Sequence, residues 1–129
     1  MGYVQLIKIP TMDMKWTRNR VLKITFITLL IGIAVLSLIP PSSGIELGPY
    51  DKVNHLMAYF ILSLNLGMLS LSIKKWIIGA LMCVLYGVLI EFFQGFVPGR
   101  DPSVYDAVVN SLGIGLGMLS VVLFQQFRS

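Results

Sequence analysis

Four stretches of this chain each hold about twenty mostly apolar residues, and that repetition restricts the fold more than any other feature. They run over 21–39, 53–73, 76–97 and 104–127. A helix needs about 20 such residues to cross a hydrocarbon core roughly 30 Å thick. Lipid offers no partner to a bare peptide group, so the segments must be helices; four strands could not close a barrel. Breaker and turn residues stand between them: Pro40-Pro41-Ser42-Ser43-Gly44, Lys74-Lys75 and Pro98-Gly99-Arg100-Asp101-Pro102. Only 12% of the residues are charged, about half the usual share in soluble domains. The expected fold class is an all-α integral membrane four-helix bundle.

Charge placement orients the bundle. Lys8, Lys15, Arg18, Arg20 and Lys23 precede or open the first apolar run, as in a cytoplasmic flank. With the N-terminus inside, Lys74, Lys75 and Arg128 join them, and only Lys52 and Arg100 lie outside. Both termini are therefore expected in the cytoplasm, with the protein multi-pass in the cell membrane. Basic residues placed this way flank a bilayer and do not build a nucleic-acid surface, so no nucleic-acid partner is expected. The first apolar run exceeds the ~7–15 residues of a signal-peptide core and no A-x-A site follows, so it is read as a retained helix. The expected division is an N-terminal cytoplasmic or interfacial segment over 1–20 (Tyr3, Leu6, Ile7, Ile9 and Trp16 suggest a short interfacial element) and a transmembrane domain over 21–127. Cys83, the one cysteine, lies in an apolar run and reads as a small buried hydrophobe.

Ionisable residues bordering or inside spanning segments are costly and mark functional sites. Here they gather toward one face. Asp51, His55 and Tyr59 follow at i, i+4, i+8; Gly87, Glu91 and Gln94 at i, i+4, i+7; Asp106, Asn110, Gly113 and Gly117 at i, i+4, i+7, i+11. Each helix thus has one polar stripe, and three such stripes should face one another rather than lipid. Glu91 lies six residues before Val97, roughly 9 Å below the end of its helix, where a carboxylate needs a partner. Arg100, His55 and Lys52 are the available cationic or donor groups. Competing structural readings exist for several residues. Asp51 and Asp101 can cap helices, with Pro102 at the first helical position. Lys52 can snorkel, Tyr59 can be an interfacial aromatic and Trp76 an inner anchor. Gly113, Gly115 and Gly117 suit close helix packing.

The ordered set Asp51-Lys52-x-x-His55-x-x-x-Tyr59, Glu91-x-x-Gln94, Pro98-Gly99-Arg100 and Asp106-x-x-x-Asn110-x-x-Gly113 resembles the VanZ-like family. Ser37-Leu38-Ile39-Pro40 also fits, and the resemblance covers about residues 21–125. It implies an effect on the cell surface of the kind associated with teicoplanin resistance. A phosphotransbutyrylase label found in the family fits poorly, because a coenzyme A enzyme needs cytosolic access.

The leading expectation is an outward-facing pocket for an amphiphilic envelope molecule: a lipid headgroup, a lipid-linked wall precursor or a lipoglycopeptide. Asp51, Lys52, Tyr59, Gln94, Arg100 and Asn110 are the candidate binding residues. His55, Glu91 and Asp106 are the candidate acid–base groups if chemistry occurs. A second class is a membrane lipid phosphoesterase or transferase. His55, Glu91 and Asp106 could form a metal site, but no spaced metal motif supports one, so no metal is assigned, and the sequence names no cofactor. A proton-coupled transporter would place its acid nearer the midplane. A purely structural or assembly partner is the remaining class, and a homodimer is open to so small a bundle.

Overall fold

A polar side chain cannot be left against lipid, so the helix richest in such groups must be enclosed by the others. That helix is the second. The computed structural model describes the backbone of residues 11–40, 51–69 and 72–128, with side chains described from residue 17 to 127 inside those ranges. It contains α1 (Thr11–Leu38), α2 (Asp51–Met68), α3 (Ile73–Gln94) and α4 (Val104–Arg128). The expectations for residues 1–10 and for the 41–50 loop lie outside the described residues. Among those described, α2 contacts all three other helices, most extensively α4, whereas α1 and α4 do not approach each other. The start of α2 meets the start of α4 through Lys52 and Asp106, and the end of α3 meets the end of α1 through Gln94 and Ser37. Consecutive helices therefore run in opposite directions, and the polar ends of all four share one pole.

Three helices are long and apolar enough to cross a membrane: Thr17–Leu38, Ile73–Gln94 and Val104–Phe127. The second is not, because 18 residues that include Asp51, Lys52, Asn54, His55 and Asn65 carry too little apolar character. Past its first turn its polar groups are enclosed: His55, Ser63 and Asn65 are buried along with Tyr59, Leu62 and Leu66, while Asp51, Lys52 and Asn54 at its start are exposed. The outer helices show the converse pattern. Ile24, Ile31, Leu81, Phe92, Leu112 and Leu119 are all exposed, an apolar exterior that water would not tolerate on this scale.

Element boundaries differ from the sequence expectation at three places, each for a local reason. α1 begins at Thr11 rather than at residue 21, so Lys15, Arg18 and Arg20 stand on the helix itself. α2 ends at Met68 and Ile73 opens α3, because the Ser72 hydroxyl accepts the Lys75 amide at 3.3 Å and caps a new helix there. Before α4 the cap is Ser103, not Asp101. Its Oγ accepts the Asp106 amide at 3.1 Å, and Pro102 stands outside the helix. In the turn between α3 and α4, Gly99 adopts φ 82°, a left-handed conformation that glycine takes without steric cost.

The α2–α4 contact is a backbone approach. A Cβ on Gly113 would lie 2.6 Å from the Leu56 carbonyl oxygen, and one on Gly117 would lie 2.6 Å from Ser63 Cβ. One on Gly67 would meet Val121 Cγ2 at 2.5 Å. Small residues four apart let helices approach in this way, and Ser63 Oγ adds a 2.8 Å hydrogen bond to the Ile114 carbonyl. Gly115 takes no part, since nothing lies within 4 Å of its added Cβ; the packing expectation for that residue is corrected. Cys83 is buried as expected. Trp76 packs partly buried against the core.

Gly113→Ala should destabilise the protein by roughly 1–3 kcal/mol, as overpacking does, while Gly115→Ala should be close to neutral. Thermal or denaturant titration of helicity in micelles reads both.

Candidate functional site

At the shared pole the first turns of α2 and α4 face the last turns of α3. His55 occupies the centre and is buried. Its Nδ1 lies 2.9 Å from Asn110 Oδ1. A carboxamide oxygen only accepts, so Nδ1 carries a proton in this arrangement and the ring is oriented by α4. The opposite nitrogen, Nε2, lies 3.6 Å from Asp51 Oδ1. Glu91 Oε1 stands 3.7 Å from Nδ1. The imidazole is therefore flanked by carboxylates on both edges.

Asp106 sits at the third position of α4, behind its Ser103 cap, where the helix N-terminus favours negative charge. It is buried, and Lys52 Nζ reaches its Oδ1 at 3.3 Å. Lys52 remains 62% exposed along its side chain, so this ion pair is half in water and screened accordingly. One carboxylate oxygen each from Asp51 and Asp106 and a ring nitrogen of His55 lie within 4.8 Å of one another. That grouping differs from the His55, Glu91 and Asp106 set considered from spacing.

Glu91 is the least satisfied residue of the cluster. It is 6% exposed, neither carboxylate oxygen accepts a hydrogen bond from a side chain, and the Ser103 backbone amide lies beside it. The Tyr59 hydroxyl and Asn110 Nδ2 are buried and unpartnered. Buried polar groups are almost always paired with protein, water or an ion, and Tyr59, Glu91 and Asn110 bring several such atoms together at this pole.

Arg100 does not pair with Glu91, contrary to one expectation. Its Nε and Nη2 donate to the Ile39 carbonyl at 3.1 and 2.8 Å, and Nη2 also reaches the Leu36 carbonyl at 3.1 Å. The last carbonyls of α1 have no partner inside their own helix, and a guanidinium fork satisfies them. Gln94 has a parallel role one turn earlier, donating from Nε2 to the Ser37 carbonyl at 2.9 Å. Deeper still, the Tyr86 hydroxyl donates to the Leu30 carbonyl. Three side chains thus tie α1 to α3 and the following turn.

Beside the cluster, a cleft of about 450 Å³ opens between α1 and α2. Asp51, His55 and Arg100 lie at its polar end, and Leu29, Ile33 and Ala58 form apolar walls. Gly32 lines it with nothing within 4 Å of an added Cβ. The volume falls within the ~300–1,000 Å³ range of small-molecule sites.

A family model described as VanZ/LLP1 matches residues 8–125. The chain belongs to the VanZ/LLP1 family. No curated protein and no solved structure matches it. The VanZ/LLP1 match begins at residue 8, so it takes in the early part of α1 that the motif resemblance left outside.

Of the nine site candidates read from this VanZ/LLP1 sequence, the fold brings His55, Glu91, Asp106, Asn110, Asp51 and Lys52 into one cluster. Tyr59 is buried one turn further along α2, while Gln94 and Arg100 hold α1. Sequence reasoning missed the contribution of α1. Thr28 and Gly32, a small pair four apart in an otherwise bulky run, were the available signal. It also missed Ser63 and Asn65, buried polar groups farther along α2.

Replacing Arg100 with Lys removes the fork that spans two carbonyls. The α1–α3 tie should weaken, with a loss of roughly 1.5–3 kcal/mol as for hydrogen bonds to charged groups. Chemical unfolding checks the loss, and faster hydrogen exchange in the last turn of α1 locates it.

Proposed function

We propose that this protein holds an amphiphilic cell-envelope molecule in the α1–α2 cleft, with its polar head at Asp51, His55 and Arg100 and its apolar part along α1. The supporting observation is the cleft's polarity: ionisable groups crowd one end and aliphatic side chains line the remainder. A soluble metabolite has no use for that division, whereas a lipid headgroup, a lipid-linked wall precursor or a lipoglycopeptide matches it. Each buried methylene contributes about 0.8 kcal/mol, so even a short stretch of acyl chain binds appreciably. Lys52 and Arg100 supply charge-assisted donors for a phosphate or carboxylate.

In this reading all four helices form a membrane-embedded bundle, with α2 crossing inside the shell of the other three. Both termini face the cytoplasm, as the excess of Lys and Arg on that side favours. The polar pole then opens to the outer leaflet, where wall precursors and glycopeptides are met. The physiological consequence is reduced susceptibility to teicoplanin. Reporter fusions at residues 1 and 129 should both report the cytoplasm; external signals at both ends would remove the outward-facing pocket.

Gly32 gives a steric test, because it lines the cleft and a Cβ there meets nothing within 4 Å. Gly32→Trp should abolish any rise in the teicoplanin concentration that inhibits a host expressing the protein, and His55→Ala and Glu91→Ala should do the same. Normal accumulation together with unchanged resistance in all three variants would discard the proposal.

A second reading has one specific support: carboxylates on both edges of His55 suit proton transfer. Turnover of labelled lipid by purified protein distinguishes a phosphoesterase or transferase from a binder.

A further inference from the structure

We infer that Asp51, His55 and Asp106 form a site for one divalent transition-metal cation of the Zn²⁺ or Mn²⁺ type at the polar end of the cleft. The three donor atoms come from two helices and lie within 4.8 Å of one another. Three atoms so spaced surround a point about 2.8 Å from each, against roughly 2.0–2.2 Å in a formed zinc site. Each ligand has to close by about 0.6 Å. Asp51 is free to do so, since its side chain is 52% exposed.

Three further observations point to a cation. The first is the ring orientation. With His55 Nδ1 donating to Asn110 Oδ1 at 2.9 Å, the Nε2 lone pair of the neutral ring is turned toward Asp51. A ligating imidazole almost always has its other nitrogen held this way.

The second is Glu91. Its carboxylate is 94% enclosed, being 6% exposed, and neither oxygen accepts a hydrogen bond from a side chain, yet it stands 3.7 Å from the same ring. With the Nδ1 proton given to Asn110, Glu91 adds negative charge behind the ring, which favours a cation on its other edge.

The third is charge. Asp51, Glu91 and Asp106 put three carboxylates around one imidazole, and Lys52 forms an ion pair with Asp106. A divalent cation adds positive charge where carboxylates outnumber the one ammonium.

The donor set narrows the ion. There is no thiolate, which sets aside the softest metals, and an imidazole among carboxylates favours Zn²⁺ or Mn²⁺ over Ca²⁺ or Mg²⁺. Lys52 Nζ, 3.3 Å from Asp106 Oδ1, occupies part of the place the cation takes, and its exposed side chain can swing into water. Three protein ligands leave a coordination position open. That position faces the cleft, where a phosphoryl or carboxylate oxygen of the head can fill it. This last step rests on the amphiphile reading; the cation itself does not.

The test uses the full-length protein, stripped with chelator, in detergent without added lipid. Zn²⁺ is titrated by calorimetry and Mn²⁺ by electron paramagnetic resonance. The expected result is one saturable equivalent. D51N, a substitution at an exposed carboxylate that leaves the packed core intact, should weaken binding at least ten-fold, as should D106N and H55Q. K52A should tighten it several-fold by removing the competing ammonium. Helicity of each variant confirms that it is folded. No saturable binding up to about 1 mM, a ~4 kcal/mol ceiling, or binding indifferent to both D51N and H55Q, overturns the assignment. Because no lipid is present, such a failure leaves the cleft reading standing, and loss of resistance in Gly32→Trp leaves the metal assignment untouched.

Discussion

The close approach of α2 and α4 is the contact on which the rest depends. Where Gly113 and Gly117 meet Leu56 and Ser63, α4 presents no Cβ, and its backbone lies close against α2. Along the same contact Lys52 meets Asp106 and His55 meets Asn110. Bringing the backbones together also lets Ser63 hydrogen-bond across to the α4 main chain. In a lipid setting, where apolar surface gives no net drive to helix association, such packing and such hydrogen bonds supply much of the attraction.

From that contact the remaining architecture follows. α2 is the polar helix, so it must be enclosed; α4 covers one flank and α1 with α3 cover the other. The tie between α1 and α3 is of a different kind. Here side chains of Tyr86, Gln94 and Arg100 donate to main-chain carbonyls of the last turns of α1. The close glycine contact and this set of long side chains hold opposite sides of α2. Between α1 and α2 the packing is looser, and the cleft lies there. A site flanked by one rigid contact and one side-chain-mediated contact can accept a ligand without disturbing the rigid half.

Much of the helical content was legible from apolar run length, and the shared polar pole from helical spacing. The stripes Asp51–His55, Glu91–Gln94 and Asp106–Asn110 converge as their periodicity requires. The less legible parts have identifiable causes. Asp101 reads as the α4 cap, but the Ser103 hydroxyl, adjacent to the first helical residue, takes that role. Ile73 read as the end of one apolar run, while Ser72 capped the next helix immediately before it. Arg100 offered a carboxylate partner and a set of orphaned carbonyls with similar plausibility, and only the position of the α1 terminus separates them.

What the sequence by itself determined is the solvent and the periodicity. Low charge, four apolar runs and intervening breakers leave helices in a bilayer as the economical solution, and spacing assigns each polar residue to a face. What only the tertiary structure decided is which polar groups are satisfied and which are not. Asn110 could have faced Tyr59 or Glu91 and instead orients His55; Arg100 turned to α1; Glu91 was left buried with no side-chain donor to its oxygens. Such pairings depend on interhelical distances of a few ångströms, set by glycine contacts and side-chain lengths, and periodicity along a single helix has no access to them.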